Sequence, residues 1–183
     1  IKIIATGAVL TAGTNPSASE YTEEEIRAAV EEAANAGTFV TAHAHGVEGI
    51  KRAVRAGVRS IEHASYLDDE GIALMVKHGT WLVADIYNGD YIAEIGKRDG
   101  WPAEVLRKND ETTGTQRAGF QKAVRAGVRI AYGTDDATPA TESLRLDLEG
   151  RGHEVLVVAD GVDWPDAGRA VGEAVATGRA EVG

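Results

Sequence analysis

The feature that most constrains this chain is a junction that occurs twice, as Ala53-Val-Arg-Ala-Gly-Val-Arg59 and again as Ala123-Val-Arg-Ala-Gly-Val-Arg129. In each copy a helical pattern meets a glycine suited to a left-handed C-cap, and a strand-forming valine follows at once. Shared junction geometry accounts for the echo without gene duplication. The same alternation runs through the chain. Segments 1–6, 39–43, 58–63, 80–86, 128–133 and 154–158 read as six short strands, separated by helical patterns at 22–36, 47–55, 68–77 and 103–126. The first helix carries a capping box, Thr22 with Glu25 three residues on, and an apolar face of Ile26, Ala29, Val30 and Ala33 before Gly37 stops it. Strand, helix, strand in this rhythm demands crossover connections, hence a parallel sheet. The expected fold class is α/β, a parallel sheet of about six strands with crossover helices. It takes the form of a partial (β/α)8 barrel or an open doubly wound sheet.

Composition removes several function classes. A net charge of −10, from 19 basic and 29 acidic side chains, argues against a nucleic-acid surface. No apolar run approaches the roughly 20 residues a membrane span needs. The chain has no cysteine, which excludes disulfides and thiolate chemistry and fits a reducing, cytoplasmic setting. It opens directly on the strand-like Ile1-Lys2-Ile3-Ile4 with no signal-peptide pattern.

Three of the strand-like runs end on residues able to ligate a metal. They are Phe39-Val-Thr-Ala-His-Ala-His-Gly46, Ser60-Ile-Glu-His63 and Ile130-Ala-Tyr-Gly-Thr-Asp135. A parallel sheet lines up the carboxyl ends of its strands along one edge, so these side chains can converge on one ion. His45, two residues beyond His43, shares its face and reads as a substrate contact or a support for the ligands. Tyr87, Tyr91 and Tyr132 stand near strand ends, where they can line a pocket or simply pack. Satisfied core imidazoles are the plain alternative for the histidines.

Together with Ile3-Ile-Ala-Thr-Gly7, Gly49-Ile-Lys-Arg-Ala53, Asp68-Asp-Glu-Gly71 and Tyr132-Gly-Thr-Asp135, these motifs closely resemble the amidohydrolase superfamily. The similarity is greatest to its imidazolonepropionase-like and Xaa-Pro dipeptidase branch, over residues 1–136. The resemblance implies strands four to eight of a (β/α)8 barrel. It places Lys2 where the family often has a carboxylated lysine bridging two metals, His43 and His63 where imidazole ligands sit, and Asp135 where an aspartate binds metal and handles the proton of the attacking water. The implied cofactor is a divalent metal, Zn²⁺ first, as one or two ions. The implied reaction is hydrolysis of an amide, ester or lactone in a small-molecule substrate. The family's first-strand His-x-His pair has no counterpart before Lys2.

Residues 140–183 resemble a second family, the ribose 5-phosphate isomerase B type, in the leucine-bearing run Ser143–Leu148, in Gly152-His-Glu-Val155 and in Val162-Asp-Trp-Pro-Asp166. Asp163 with Pro165 reads as a helix start and Gly178 as a stop, while His153 matches a structural position of that family. The expected division is 1–136 as a partial barrel and 137–183 as a helix-strand-helix continuing the sheet. Three classes follow: a metal-dependent hydrolase, a catalytically silent hybrid or engineered scaffold, and a sugar-phosphate isomerase whose own chemical residues are missing. Open sheet edges predict a homo-oligomer. The charged segment 88–115 reads as a solvated excursion rather than a lid.

Overall fold

The computed structural model describes residues 1–134 and 157–159, and the chain divides into two compact units, Ile1–Arg129 and Ile130–Gly183. In the first unit the order is β1 (Lys2–Ile4), α1 (Glu23–Asn35), β2 (Thr41–Ala44), α2 (Val47–Ala56), β3 (Ser60–His63), α3 (Asp69–His78), β4 (Trp81–Val83), α4 (Asn88–Asp99) and α5 (Ala103–Ala126). β5 (Arg129–Ile130) follows, and the sheet order is β1-β2-β3-β4-β5. The pairings from β1 through β4 are parallel, as the alternation requires. In the second unit β6 (Tyr132–Thr134) pairs in parallel with β7 (Val157–Ala159). The strand expected at 128–133 is thus interrupted at Ala131. The run 143–148, His153, Asp163, Pro165 and Gly178 lie outside the described residues.

The register sorts the side chains into rows, because paired residues of parallel strands share a face. Ile3, Ala42, Ile61 and Leu82 form one row, and the last three are buried under the helices with Ile50 and Val54 of α2 and Met75 of α3. Ile4, His43, Glu62 and Val83 form a row on the opposite face. Lys2, Thr41, Ser60 and Trp81 form another on that same face. The apolar core therefore lies on the helix side, and the chemistry-bearing side chains line the other. The Thr22–Glu25 capping box is present with both reciprocal hydrogen bonds. α2, α3, α4 and α5 each end on a glycine in the left-handed region, which includes both copies of the repeated junction.

One expectation is corrected. The stretch before the helix expected at 103–126 is not a loop but α4, which packs against that helix, α5. Ile92 and Gly96, four apart, lie on the buried face of α4. A β-carbon at Gly96 would sit 2.6 Å from Leu106 and 3.3 Å from Trp101, so the absence of a side chain sets how closely the chain returns on itself. The polar composition hides a short apolar stripe.

The loop between β1 and α1 lies directly on the start of α2, where a β-carbon at Gly46 would meet the Ser17 carbonyl oxygen at 2.7 Å. Gly46→Ala is expected to destabilise the protein by about 1–3 kcal/mol, the range for forced overpacking. Gly114, exposed in α5 with nothing within 4 Å of its would-be β-carbon, should respond with the opposite sign. There alanine should add up to about 1 kcal/mol of stability through helix propensity. Urea unfolding of the two variants checks both signs.

Candidate metal centre

Three imidazoles meet at the carboxyl ends of β2 and β3. His43 lies on β2, His45 follows its last residue, and His63 ends β3. All three are buried, and each can offer a ring nitrogen such that the three nitrogens lie within 4.8 Å of one another. The ring centroids are 4.6 Å apart for His43–His45, 4.5 Å for His43–His63 and 4.9 Å for His45–His63.

His43 reaches this point by simple alternation. His63 does not: strict alternation would send it to the helix side with Ile61. Its φ of 68°, followed by 52° at Ala64, turns the backbone and lets the ring come against His43. Such left-handed conformations cost on the order of 1–3 kcal/mol each in residues other than glycine and persist only where the surroundings enforce them. Here the enforcement is visible. Ala64 N–H donates to the Ala44 carbonyl at 3.0 Å and Tyr66 N–H to the His45 carbonyl at 2.9 Å.

Each ring is held by a partner of its own. Asp85, two residues past the end of β4 and itself at a φ of 43°, accepts a hydrogen bond from His63 Nδ1 at 3.0 Å. A carboxylate only accepts, so Nδ1 carries a proton and the bond to Asp85 leaves Nε2 as the ring nitrogen that can face an ion. Asn88 Nδ2 donates to the same Asp85 oxygen at 3.1 Å. From α5, the Gln116 amide lies 2.9 Å from the His63 carbonyl, 2.6 Å from that of Ala84 and 3.1 Å from Asp85 Oδ1. His45 Nδ1 bonds Ser65 Oγ at 2.7 Å, and His45 N–H donates to Thr6 Oγ1 at 2.9 Å. His43 bonds the Gly7 backbone, while its Nε2 is buried with no hydrogen-bond partner.

That orphaned nitrogen tests whether a metal fits. A buried ring nitrogen without a partner is costly unless something occupies its lone pair. Burial, with help from the nearby His63, lowers the His43 pKa to about 4, and burial likewise holds His45 well below the usual histidine range. Both rings are therefore neutral at pH 7, the state in which imidazole ligates. The donor set suits a divalent ion such as Zn²⁺.

The other expected site residues are distributed as follows. Lys2, on β1, forms an ion pair with Glu62, and its charge contributes to lowering the His43 pKa. Tyr87 stands at the start of α4, 40% exposed. Tyr132 lies on β6 in the second unit, and Asp135 lies outside the described residues. Sequence reading missed Asp85, Gln116 and Ser65. Asp85 had a signal, since Leu82-Val-Ala-Asp85 is one more strand run ending on a potential ligand or ligand support. Gln116 had none, because its role depends on how α5 packs.

Residues 1–164 match the Amidohydrolase family. This chain belongs to the amidohydrolase family. The matched span includes Asp135 and part of the segment that resembles the isomerase. The chain is 37% identical to ochratoxinase of Aspergillus niger over 149 residues, 81% of this chain and 31% of that protein. It is similar to a Xaa-Pro dipeptidase solved with methionine in its active site, at 37% identity and a TM-score of 0.74, covering 84% of this chain and 39% of the other. A prolidase solved with N-methylphosphonate-L-proline matches at 33% identity and a TM-score of 0.72, over 81% and 38% of the two chains. The chain spans about a third of the length of the curated relatives it matches.

The neutral burial of His43 has a measurable consequence in metal-free protein. The unfolded chain takes up a proton near pH 6.5 and the folded one only near 4. Stability is thus full above 6.5 and falls as the pH drops towards 4, by roughly 3 kcal/mol from this residue. NMR titration should place the His43 ring near pH 4, with the urea midpoint declining over the same window. A ring that titrates near 6.5 would contradict neutral burial.

Proposed function

We propose that this chain serves a metal-dependent hydrolase that cleaves a carbonyl-centred bond, an amide first and an ester or lactone second, in a small molecule. The observation that carries the reading is the convergence of three buried imidazoles, of which His43 and His45 are held neutral and His43 Nε2 has no hydrogen-bond partner. The relatives support the amide preference, since two of them are a Xaa-Pro dipeptidase and a prolidase. In this reading His43 and His63 hold the ion, His45 completes the cluster and meets substrate, and Lys2 and Asp135 supply the remaining ligands. A divalent cation bound there, Zn²⁺ or a similar ion in one or two copies, supplies Lewis acidity and lowers the pKa of water.

The chain's own residues do the rest. Asp85 and Gln116 fix the tautomer and direction of His63, so little reorganisation is needed when the site loads. Asp135 takes the proton of the attacking water and passes it to the leaving group. Lys2 is an ammonium paired with Glu62, so it would have to leave that partner, lose its proton and take up carbon dioxide as a carbamate before its side chain could ligate. Tyr87 and Tyr132 are the proposed substrate contacts. The proposal extends to self-association, supported by Ile1 and Ile4 of the β1 edge and nearby Phe39, each about half exposed.

The test is metal content and its effect on stability. Zinc-supplemented protein should retain about one ion per chain, and a chelator should lower its melting temperature, because a ligand bound only by the folded state stabilises it. Asp85→Asn should fold yet bind zinc about 10- to 100-fold more weakly, the range for loss of a supporting hydrogen bond to a ligand. Zinc-free protein after supplementation, with chelator-independent melting, would sink the reading.

A further inference from the structure

We propose that Lys108 is a positioning residue whose ammonium group templates the loop between β1 and α1 and, through that loop, sets the geometry of the His43, His45 and His63 cluster. Lys108 lies on α5 and is only 4% exposed. Its Nζ donates to the carbonyls of Ala8 at 3.2 Å, Thr11 at 2.7 Å and Thr14 at 3.2 Å. An ammonium has three N–H donors, and three carbonyls of one loop converge on it. The counter-ion is Glu104, one turn earlier on α5, at 3.2 Å. Glu104 also accepts the Gly13 N–H at 3.0 Å, so a single carboxylate neutralises the lysine and holds the loop tip.

Apart from its own hydrogen bonds, the loop has little apolar burial to hold it in place. Leu10 is 46% exposed, residues 11–13 are exposed, and apolar burial there is limited to Val9 and Pro16. Thr14 curls the segment by bonding Ala8 at both its N–H and its carbonyl, and Gly13 turns it with a φ of 75°. That curl points three carbonyl dipoles at one place. The Ala8 and Thr11 carbonyls also accept from Thr14 Oγ1, and the ammonium is the one charge on which all three dipoles converge. A buried lysine is unfavourable alone. Loop and ammonium therefore stabilise each other.

Both ends of the loop lead to the histidines. Thr6 and Gly7, which precede it, bond His45 and His43. A β-carbon at Gly7 would collide with the Asn15 carbonyl, so the far side of the loop rests directly on the residue that holds His43. Ser17 lies against Gly46, the residue after His45. A displaced loop must shift these contacts. The zinc part of this inference rests on the metal-binding reading, whereas the loop part stands without it.

The test is chemical rescue of Lys108→Ala, which removes a side chain that n-propylammonium can replace. In the variant, amide exchange over residues 7–18 should accelerate by about tenfold or more, while α1 and α3 stay protected. Zinc affinity should fall about tenfold. Millimolar n-propylammonium should restore both, and tetramethylammonium or propanol at the same concentration should not. Unchanged loop exchange, uniform loss of protection, or equal rescue by the controls would overturn the proposal. Should the variant fail to fold, the wild-type chain decides: the Lys108 ammonium protons must give a slowly exchanging NMR signal near pH 6, and rapid exchange refutes a closed cradle. Wild-type protein that binds no zinc defeats the metal reading, and loop exchange and rescue then judge the loop on their own.

Discussion

Everything in the site depends on the parallel register of β1, β2 and β3. Ile4 pairs with His43, His43 with Glu62, and Ala44 with His63, so residues 19 to 39 apart in sequence arrive on neighbouring strand ends. A slip of one residue would exchange the two faces, placing His43 under the helices and Ala42 in the site. The register is strongly specified because Ala42, Ile61 and Leu82 must stay buried on the helix side. Hydrophobic burial on one face thus positions polar chemistry on the other.

Register alone would deliver His43 but not His63. The left-handed turn at His63 and Ala64 brings the second ring across, and the Asp85 and Gln116 hydrogen bonds hold it there. Local backbone strain and a buried polar network are therefore complementary. Each of the three rings has a distinct partner: Gly7 for His43, Ser65 for His45, Asp85 for His63. Those partners come from β1, β3 and β4 ends, so the site draws on most of the sheet rather than one motif.

Much of the fold was legible in the sequence because its signals are local. Glycine stops, a capping box and alternation between strand and helix patterns located β1 to β4 and α1 to α3 within a few residues. α4 was not legible, since its packing relies on Gly96 admitting Leu106 and Trp101, which is a tertiary fact. The histidines were legible as strand-end ligands, and the family assignment agrees with the resemblance their motifs carry. The entry of His45 into the cluster was less so, because a residue just past a strand can turn either way. Asp85, Gln116 and Lys108 act through groups at least 22 positions away in sequence, and no periodicity reports such contacts.

The proposed function turns on whether the imidazoles of His43 and His63 hold a divalent ion. X-ray absorption at the zinc edge of the loaded chain addresses it directly. The account predicts first-shell nitrogen at about 2.0 Å with the multiple-scattering pattern of at least two imidazoles, and loss of one imidazole in the His63→Ala variant. A zinc shell of oxygen alone, or a spectrum unchanged by that substitution, would contradict it.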